Sequence, residues 1–295
     1  MTSIRFLLVA ALLVPLSAHG QVAIVAGENF YGDVAQQIGG PDAAVTSILS
    51  SPDQDPHLFE ASASTARSLS AARIVVFNGA DYDPWMVKML RAAKGADRIE
   101  IEAAALAGRK PGDNPHLWYD PAIMRRVAQA VADALSAADP AHKAAFAQRL
   151  DAFDAALKPL DDQIEQMRRR YAGLEVTATE PVFGLMAAAL GLVMRNERFQ
   201  LAVMNDTEPR ASDTAAFEAD LKSNRVRALL YNLQATGPAA KRLLRLAQFQ
   251  HIPTVGVTET EPAGTTYQAW MTSQLDTLDR ALSHPSLSQP SLSKP

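Results

Sequence analysis

The sequence predicts an α/β protein of two lobes, each with a parallel sheet, joined by one long helix. Short β-rich apolar runs alternate with segments of helical spacing from residue 22 to about residue 103, and again from residue 174 onward. Between these regions, from Pro121 to about Tyr171, the chain has no strand-like run. Alternating strands and helices favour a parallel sheet with helices on its faces, so the helical middle joins two such units.

The first lobe is predicted over residues 21–119. Its second helix is expected to open at Ser64, and its third to have Asp83 as N-cap and Pro84 at the first helical position. The predicted strands are 22–26, 43–49, 73–79 and 98–103, and the predicted helices are 29–40, 64–72 and 83–93.

A helical connector is predicted over residues 120–172. Asp120-Pro121 and Asp139-Pro140 each predict a helix start, and the second helix runs for about thirty residues, or about 45 Å. Pro159 inside it predicts a kink. A coiled-coil dimer arm is the alternative, but the flanking α/β segments could cover the apolar face. We therefore expect a rigid connector within a monomer.

The second lobe is predicted over residues 173–283, with strands at 174–179, 198–204, 226–232 and 252–258 and helices at 182–190, 212–222, 237–248 and 266–283. Residues 284–295 repeat Pro-Ser-Leu-Ser and predict a disordered tail. The lobes are thus expected to be Rossmann-like. Such sheets bind ligands at the carboxyl ends of their strands, so a cleft between the lobes is the expected site.

The N-terminus predicts a signal peptide over residues 1–20. Arg5 precedes an apolar run over 6–16 that is too short to span a bilayer, and small residues follow up to Gly20. A buried N-terminal helix is the alternative. The chain contains no cysteine, so we expect no disulfide, no lipid anchor and a free protein in the periplasm. A net charge of −4 without basic runs gives no reason to expect nucleic acid.

Two loops share the pattern Pro-His-Leu-aromatic, in "DPHLF" and "NPHLW". His57 follows the second predicted strand, and His116 lies at the end of the first lobe, so both can reach the cleft. Neutral imidazole is the commonest side-chain ligand for first-row metals. A lone loop histidine is more often structural, but the repeated pattern favours a shared metal site. Asn78, Asp81 or Tyr82 could orient these ligands, or could merely form a turn.

A metal ion needs further ligands, and the second lobe offers Glu180 between a predicted strand and Pro181. Glu180 could instead be an acid near a helix N-terminus, stabilised by the helix dipole.

The segments "DPHLFEASASTARSLSAARIVVFNGADYDPWM" and "NPHLWYDP", with the long helix and the second lobe, resemble the periplasmic solute-binding proteins of zinc and manganese ABC importers (cluster A-I type). The resemblance covers nearly the whole mature chain. It implies that His57 and His116 are metal ligands. It also implies that Glu180 is the third ligand, a position that is His in many zinc-type members and Glu in manganese-type members.

The fourth ligand departs from the family pattern. Relatives often have Asp where "GTTYQAW" has Thr265, and a hydroxyl is a poor substitute for a carboxylate. Glu259 in "TETEPAG" is the candidate, unless it is an ordinary exposed loop acid. Glu261, Thr265, a water molecule or a bidentate Glu180 are the alternatives. The His-rich acidic loop of zinc-type relatives is absent from residues 102–113.

The predicted function is to capture zinc or manganese between the lobes as transported ligand and to deliver it to an ABC permease, without catalysis. The runner-up is an exported metal-dependent hydrolase that activates a bound water. The helical motif His-Glu-x-x-His is absent, which counts against a common class of such enzymes. A third alternative is a surface-binding module with a structural metal.

Overall fold

A computed structural model describes residues 20–51, 59, 61–93, 97–234 and 237–283. His57, residues 1–19 of the predicted signal peptide and the predicted tail 284–295 lie outside the described residues. Within the described part of the chain, no helix combines the length and the apolar character needed to cross a membrane.

The first lobe is a four-stranded parallel sheet in the order β2-β1-β3-β4. Its central strand β1 is almost entirely buried, and Ile24 pairs with Val45 on one side and with Ile74 on the other. The elements of this lobe are β1 (Val22–Glu28), α1 (Asn29–Gly39), β2 (Ala43–Leu49), α2 (Ala63–Ala71), β3 (Ile74–Phe77), α3 (Pro84–Ala92), β4 (Ile99–Glu102) and α4 (Ala103–Ala107).

Two long helices follow, α5 (Pro121–Ala138) and α6 (Lys143–Tyr171). The Asp120 carboxylate accepts a hydrogen bond from the amide of Ala122 at 2.9 Å, as its predicted capping role requires. Helix α6 is 29 residues long and is continuous through Pro159. Helix α5 packs against α1 and the first sheet, whereas α6 contacts α1 and also the last helix of the second lobe. Helix α6 therefore contacts both lobes.

The second lobe repeats the same topology, with a parallel sheet in the order β6-β5-β7-β8. Its remaining elements, in chain order, are β5 (Glu175–Ala178), α7 (Gly184–Ala189), β6 (Val193–Arg195), α8 (Glu197–Met204), α9 (Ala211–Lys222), β7 (Leu229–Asn232), α10 (Pro238–Phe249), β8 (Thr254–Val257) and α11 (Tyr267–Ser283).

One predicted strand is wrong: residues 198–204 belong to helix α8, and the edge strand is β6 instead. Asn196 adopts a left-handed conformation with φ 63°, which ends the strand and turns the chain into the helix. Helical geometry then buries Phe199 against Phe217, with ring centroids 5.0 Å apart. This packing overrides the β propensity of the sequence "RFQLAVM".

The structure corrects two predicted helix starts and confirms the position of a third. Ser62, rather than Ser64, caps α2 in a capping box with Thr65. Asp83 is the N-cap of α3 and Pro84 its first residue, as predicted, although the Asp83 carboxylate makes no capping bond to the helix. Asp139, by contrast, does not cap α6, because a 3₁₀ turn intervenes and the Asp139 carboxylate lies 2.6 Å from Nδ1 of His142.

One apolar cluster extends through both sheets and both long helices, so the lobes share a continuous core. Side chains from the two lobes also bond directly across the interface. The Tyr119 hydroxyl donates to the carbonyl of Thr258 at 2.8 Å, and the Tyr267 hydroxyl donates to the carbonyl of Trp118 at 2.7 Å. The carboxyl ends of the two sheets meet at this interface, where Asn29, directly after β1, bonds Glu261, which follows β8.

Candidate metal site

Three of the four predicted ligands come together at the interface between the lobes. His116, Glu180 and Glu259 are all buried. Nε2 of His116 lies 3.5 Å from Oε2 of Glu259. The amide nitrogen of Asn232 donates to Oε2 of Glu180 at 2.7 Å and to Oε1 of Glu259 at 2.5 Å. One nitrogen therefore links the two carboxylates, and His116 faces one of them.

Asn114 fixes the imidazole of His116. Its side-chain oxygen accepts from the backbone amide of His116 at 3.0 Å and lies 2.8 Å from Nδ1. Because an amide oxygen can only accept, Nδ1 carries a proton, and Nε2 is the ring nitrogen that faces Glu259. Metal-binding histidines in proteins are commonly held in this way.

Asn114 also ties the imidazole to the second lobe. Its amide nitrogen donates to the carbonyl of Pro181 at 2.8 Å, directly after Glu180. The approach is close, since a Cβ added at Gly184 would lie 2.7 Å from that nitrogen. Glycine at position 184 therefore leaves the space that Asn114 needs.

Glu259 is held by its backbone as well as by its carboxylate. It lies two residues beyond β8, and its amide donates to Oε1 of Gln234 at 2.6 Å. The same oxygen accepts from the amide of Thr260 at 3.1 Å, and the Gln234 side-chain nitrogen donates to the Thr260 hydroxyl at 2.9 Å. Only 1% of Glu259 is exposed, so the alternative of an exposed loop acid is wrong.

The other candidates for the fourth ligand are placed differently. Thr265 is exposed, and its hydroxyl donates to the carbonyl of Pro262 at 2.7 Å. Glu261 is buried, and its backbone bonds the side chain of Asn29. Burial, followed by the charge of Asp33, raises the pKa of Glu261 to about 9. A carboxyl group that keeps its proton at neutral pH is a weaker candidate than Glu259.

Two of the predicted supporting residues lie close to the site. Asn78 donates to the carbonyl of Pro115 at 2.9 Å, directly before His116, and accepts from the Tyr31 hydroxyl at 2.7 Å. The ring of Tyr82 lies 6.0 Å from that of His116. Burial, and next the charge of Glu259, raise the pKa of the Tyr82 hydroxyl well above its usual value. Asp81 is exposed, with φ 63°, as expected of a turn residue.

The described residues alone do not complete a metal-binding shell. Within the ranges that the structure describes, no group of three or more His, Asp or Glu side chains is spaced to hold a metal ion. His57, the remaining predicted ligand, lies outside those ranges.

Asn114 and Asn232 were missed by the sequence analysis as functional residues. The sequence did offer a signal for Asn114. The two Pro-His loops each have a short polar side chain directly before the proline, Asp55 in one loop and Asn114 in the other. For Asn232 the only signal was its place at the end of a predicted strand.

A fold of two parallel-sheet lobes with a buried imidazole and carboxylates between them is typical of a metal-binding solute-binding protein. The model of the family described as "ZnuA: Zinc-uptake complex component A periplasmic" matches residues 24–281. The chain belongs to this family, which confirms the resemblance inferred from the sequence.

Comparisons with individual proteins agree with this membership. The chain is 25% identical to a putative metal-binding protein of Treponema pallidum (strain Nichols), over 77% of this chain and 76% of that protein. It is 28% identical to the manganese-binding lipoprotein MntA of Bacillus subtilis (strain 168), a match that covers about half of each chain (49% of each).

Solved structures confirm the fold class. The periplasmic zinc-binding protein TroA of Treponema pallidum superimposes with a TM-score of 0.73 at 21% identity, over 90% of this chain and 100% of that one. A cadmium-bound periplasmic metal-binding protein from Candidatus Liberibacter asiaticus gives a TM-score of 0.69 at 16% identity, over 88% of this chain and 98% of that one. The two-lobe α/β architecture predicted from the sequence is therefore confirmed.

Proposed function

We propose that this protein captures one divalent transition metal ion, zinc or manganese, between its lobes and delivers it to the membrane permease of an ABC importer. The ligands are His57, His116, Glu180 and Glu259. The observation that carries the proposal is the buried convergence of an imidazole from one lobe with two carboxylates from the other. Family membership and the metal-binding relatives support it.

The charges of this site suit a divalent cation. Two buried carboxylates bring negative charge into a medium of low polarity, and a divalent ion would cancel it. The imidazoles add nitrogen ligands without adding charge. Nitrogen and oxygen ligands of this kind bind both zinc and manganese.

Helix α6 restricts how the lobes open. It contacts α1 in the first lobe and α11 in the second, and a helix resists bending. The direct bonds from Tyr119 and Tyr267 to the opposite lobe tie the interface further. Metal capture and release therefore involve small movements of the loops that carry the ligands.

Metal stoichiometry tests this proposal directly. Mature protein is stripped of metal, offered equal zinc and manganese, desalted and measured by elemental analysis. Wild type should retain one equivalent, and His57→Ala and His116→Ala should each lose it. His251→Ala is the matched control, because His251 is exposed in a turn before β8. A wild-type protein that retains no metal would overturn the proposal.

The cellular form is part of the same proposal. We place the mature protein free in the periplasm, as a monomer, without nucleic-acid partners and without catalytic activity. Relatives such as MntA and ScbA are named lipoproteins, whereas this sequence has no cysteine to carry a lipid. Mass spectrometry of the processed N-terminus checks this: an unmodified chain starting at Gln21 is expected, and an added lipid mass would contradict it.

A further inference from the structure

The loop that carries Glu259 belongs to the second lobe, but its backbone is tied to the first lobe on both sides of Glu259. One residue before Glu259, the carbonyl of Thr258 accepts from the Tyr119 hydroxyl at 2.8 Å. Two residues after it, the carbonyl of Glu261 accepts from the side-chain nitrogen of Asn29 at 2.7 Å. The amide of Glu261 also donates to the side-chain oxygen of Asn29 at 3.1 Å. Glu259 therefore lies between two anchors that the first lobe supplies.

Helix α1 extends this contact along one of its faces. Asn29, Asp33 and Gln37 are spaced four residues apart, which places their side chains on the same side of the helix. The Asp33 carboxylate accepts from the amide of Tyr267, the first residue of α11, at 2.9 Å. Gln37 and Gln268 each donate from the side-chain nitrogen to the other's side-chain oxygen, at 3.0 Å in both directions. The contacts between the lobes therefore continue from Asn29 to the first turn of α11.

The two anchors bear on the geometry of the site because His116 comes from the first lobe. Nε2 of His116 lies 3.5 Å from Oε2 of Glu259. Tyr119 follows His116 by three residues, so the hydroxyl that holds Thr258 belongs to the same short segment as the imidazole. Asn29 directly follows β1 in the same lobe. Loss of either anchor frees the carboxylate of Glu259 to move relative to the imidazole.

We propose that Asn29 and Tyr119 are positioning residues of the first lobe, which hold Glu259 against His116 and thereby slow the release of the bound metal ion. The inference rests on the proposed function. The bonds from within the second lobe fix Glu259 to its own sheet, whereas the contacts from the first lobe hold it relative to the imidazole. Contacts that orient a metal ligand without touching the metal commonly change metal affinity by about 10- to 100-fold when they are removed.

The test compares two variants that each lose a two-bond contact between the lobes. Asn29→Ala removes both bonds to Glu261, and Gln37→Ala removes both bonds to Gln268. Zinc-loaded protein is mixed with an excess of a chromogenic chelator, and the rate of zinc release is followed by absorbance. Asn29→Ala should release zinc at least about tenfold faster than wild type. Gln37→Ala should change the rate little, because Gln268 lies in α11, beyond the loop of Glu259. Equal acceleration in the two variants, or none in Asn29→Ala, would overturn the inference.

Two measurements separate positioning from a loss of stability. The unfolding temperature of the metal-free protein should fall by similar amounts in Asn29→Ala and Gln37→Ala, because each loses two hydrogen bonds between the lobes. Asn29→Ala should also accelerate zinc release much less when it is combined with Glu259→Gln, since a residue that acts through Glu259 has little effect once that ligand is altered. Fully additive effects of these two substitutions would overturn the inference.

Tyr119→Phe tests the second anchor and keeps the inference testable if Asn29→Ala does not fold. It removes the hydroxyl that donates to Thr258 but keeps the ring that packs on Phe183. Zinc release should again be faster than in wild type, and an unchanged rate would overturn the inference. If wild type retained neither zinc nor manganese, the proposed function would fail, whereas tight retention with unchanged release in both variants would overturn this inference alone.

Discussion

Each lobe buries a pair of carboxyl groups, and the two pairs are held in different ways. In the first lobe, Glu28 at the end of β1 lies beside Asp83, and both carboxyl groups are buried. In the second lobe, Glu180 and Glu259 are joined through the amide nitrogen of Asn232. Burial alone therefore does not distinguish the two pairs; what lies between the carboxyl groups does.

Burial favours a proton on the pair in the first lobe. Burial, and next the charge of Asp83, raise the pKa of Glu28 well above its usual value, which favours its neutral acid form. Asp83 in turn accepts from the amides of Asn78 and Gly79, both at 2.8 Å. The pair in the second lobe instead has the amide of Asn232 between its members.

The largest expected effect comes from removing charge from the second pair. Glu259→Gln removes a negative charge and one proposed ligand, so we expect metal affinity to fall at least about 100-fold. Glu261→Gln is the matched control in the same loop, and it should change affinity little because Glu261 is expected to keep its proton at pH 7. Isothermal titration with zinc measures both. Equal losses in the two variants would mean that the loop, and not Glu259, matters.

The second prediction concerns the imidazole of the first lobe. Asn114→Leu removes both the acceptor for Nδ1 of His116 and the donor to Pro181, so zinc affinity should fall about 10- to 100-fold. Asn114→Asp keeps an acceptor for the imidazole and loses only the donor. It should therefore bind zinc more tightly than Asn114→Leu in the same titration. If the two variants lost affinity equally, the bond to Pro181 rather than the orientation of the imidazole would be the important contact.

The sequence predicted the architecture well because the spacing of apolar residues, and the position of polar residues relative to strand ends, can be read from short segments of the chain. Seven of the eight strands coincide with predicted ones, and His116, Glu180 and Glu259 were each placed after a strand or at the end of a lobe. Helix α8 was missed because its β-prone residues fold as a helix only once Phe199 can pack on Phe217. The roles of Asn114 and Asn232 were missed because they depend on residues brought together from distant parts of the chain.

A third prediction tests the close approach between the lobes. Gly184→Ala would place a Cβ 2.7 Å from the amide nitrogen of Asn114. We expect a loss of stability of about 1–3 kcal/mol, as for other overpacked sites, and weaker zinc binding because Asn114 must move. Gly237→Ala is the control, since an added Cβ there meets no atom within 4 Å. Thermal unfolding and zinc titration measure the two effects, and an unaffected Gly184→Ala protein would contradict the tight contact.

The smallest effect is expected for the buried Glu28–Asp83 pair of the first lobe, and it should appear in stability rather than in metal binding. Burial raises the pKa of Glu28, and it also raises that of Asp83 to about 6. At a pH above the usual carboxyl pKa, the folded protein therefore binds more protons than the unfolded chain. The free energy of unfolding consequently falls as the pH rises through the pKa values of the folded protein. Glu28→Gln supplies a permanent donor to Asp83, so it should be more stable than wild type at pH 8, by on the order of 1 kcal/mol, with no advantage below about pH 4. Urea unfolding across this range measures the difference, with Asp151→Asn on the exposed face of α6 as control. If Glu28→Gln gained nothing at pH 8, burial of the first pair would carry no pH-dependent cost, and the contrast with the second pair would fail.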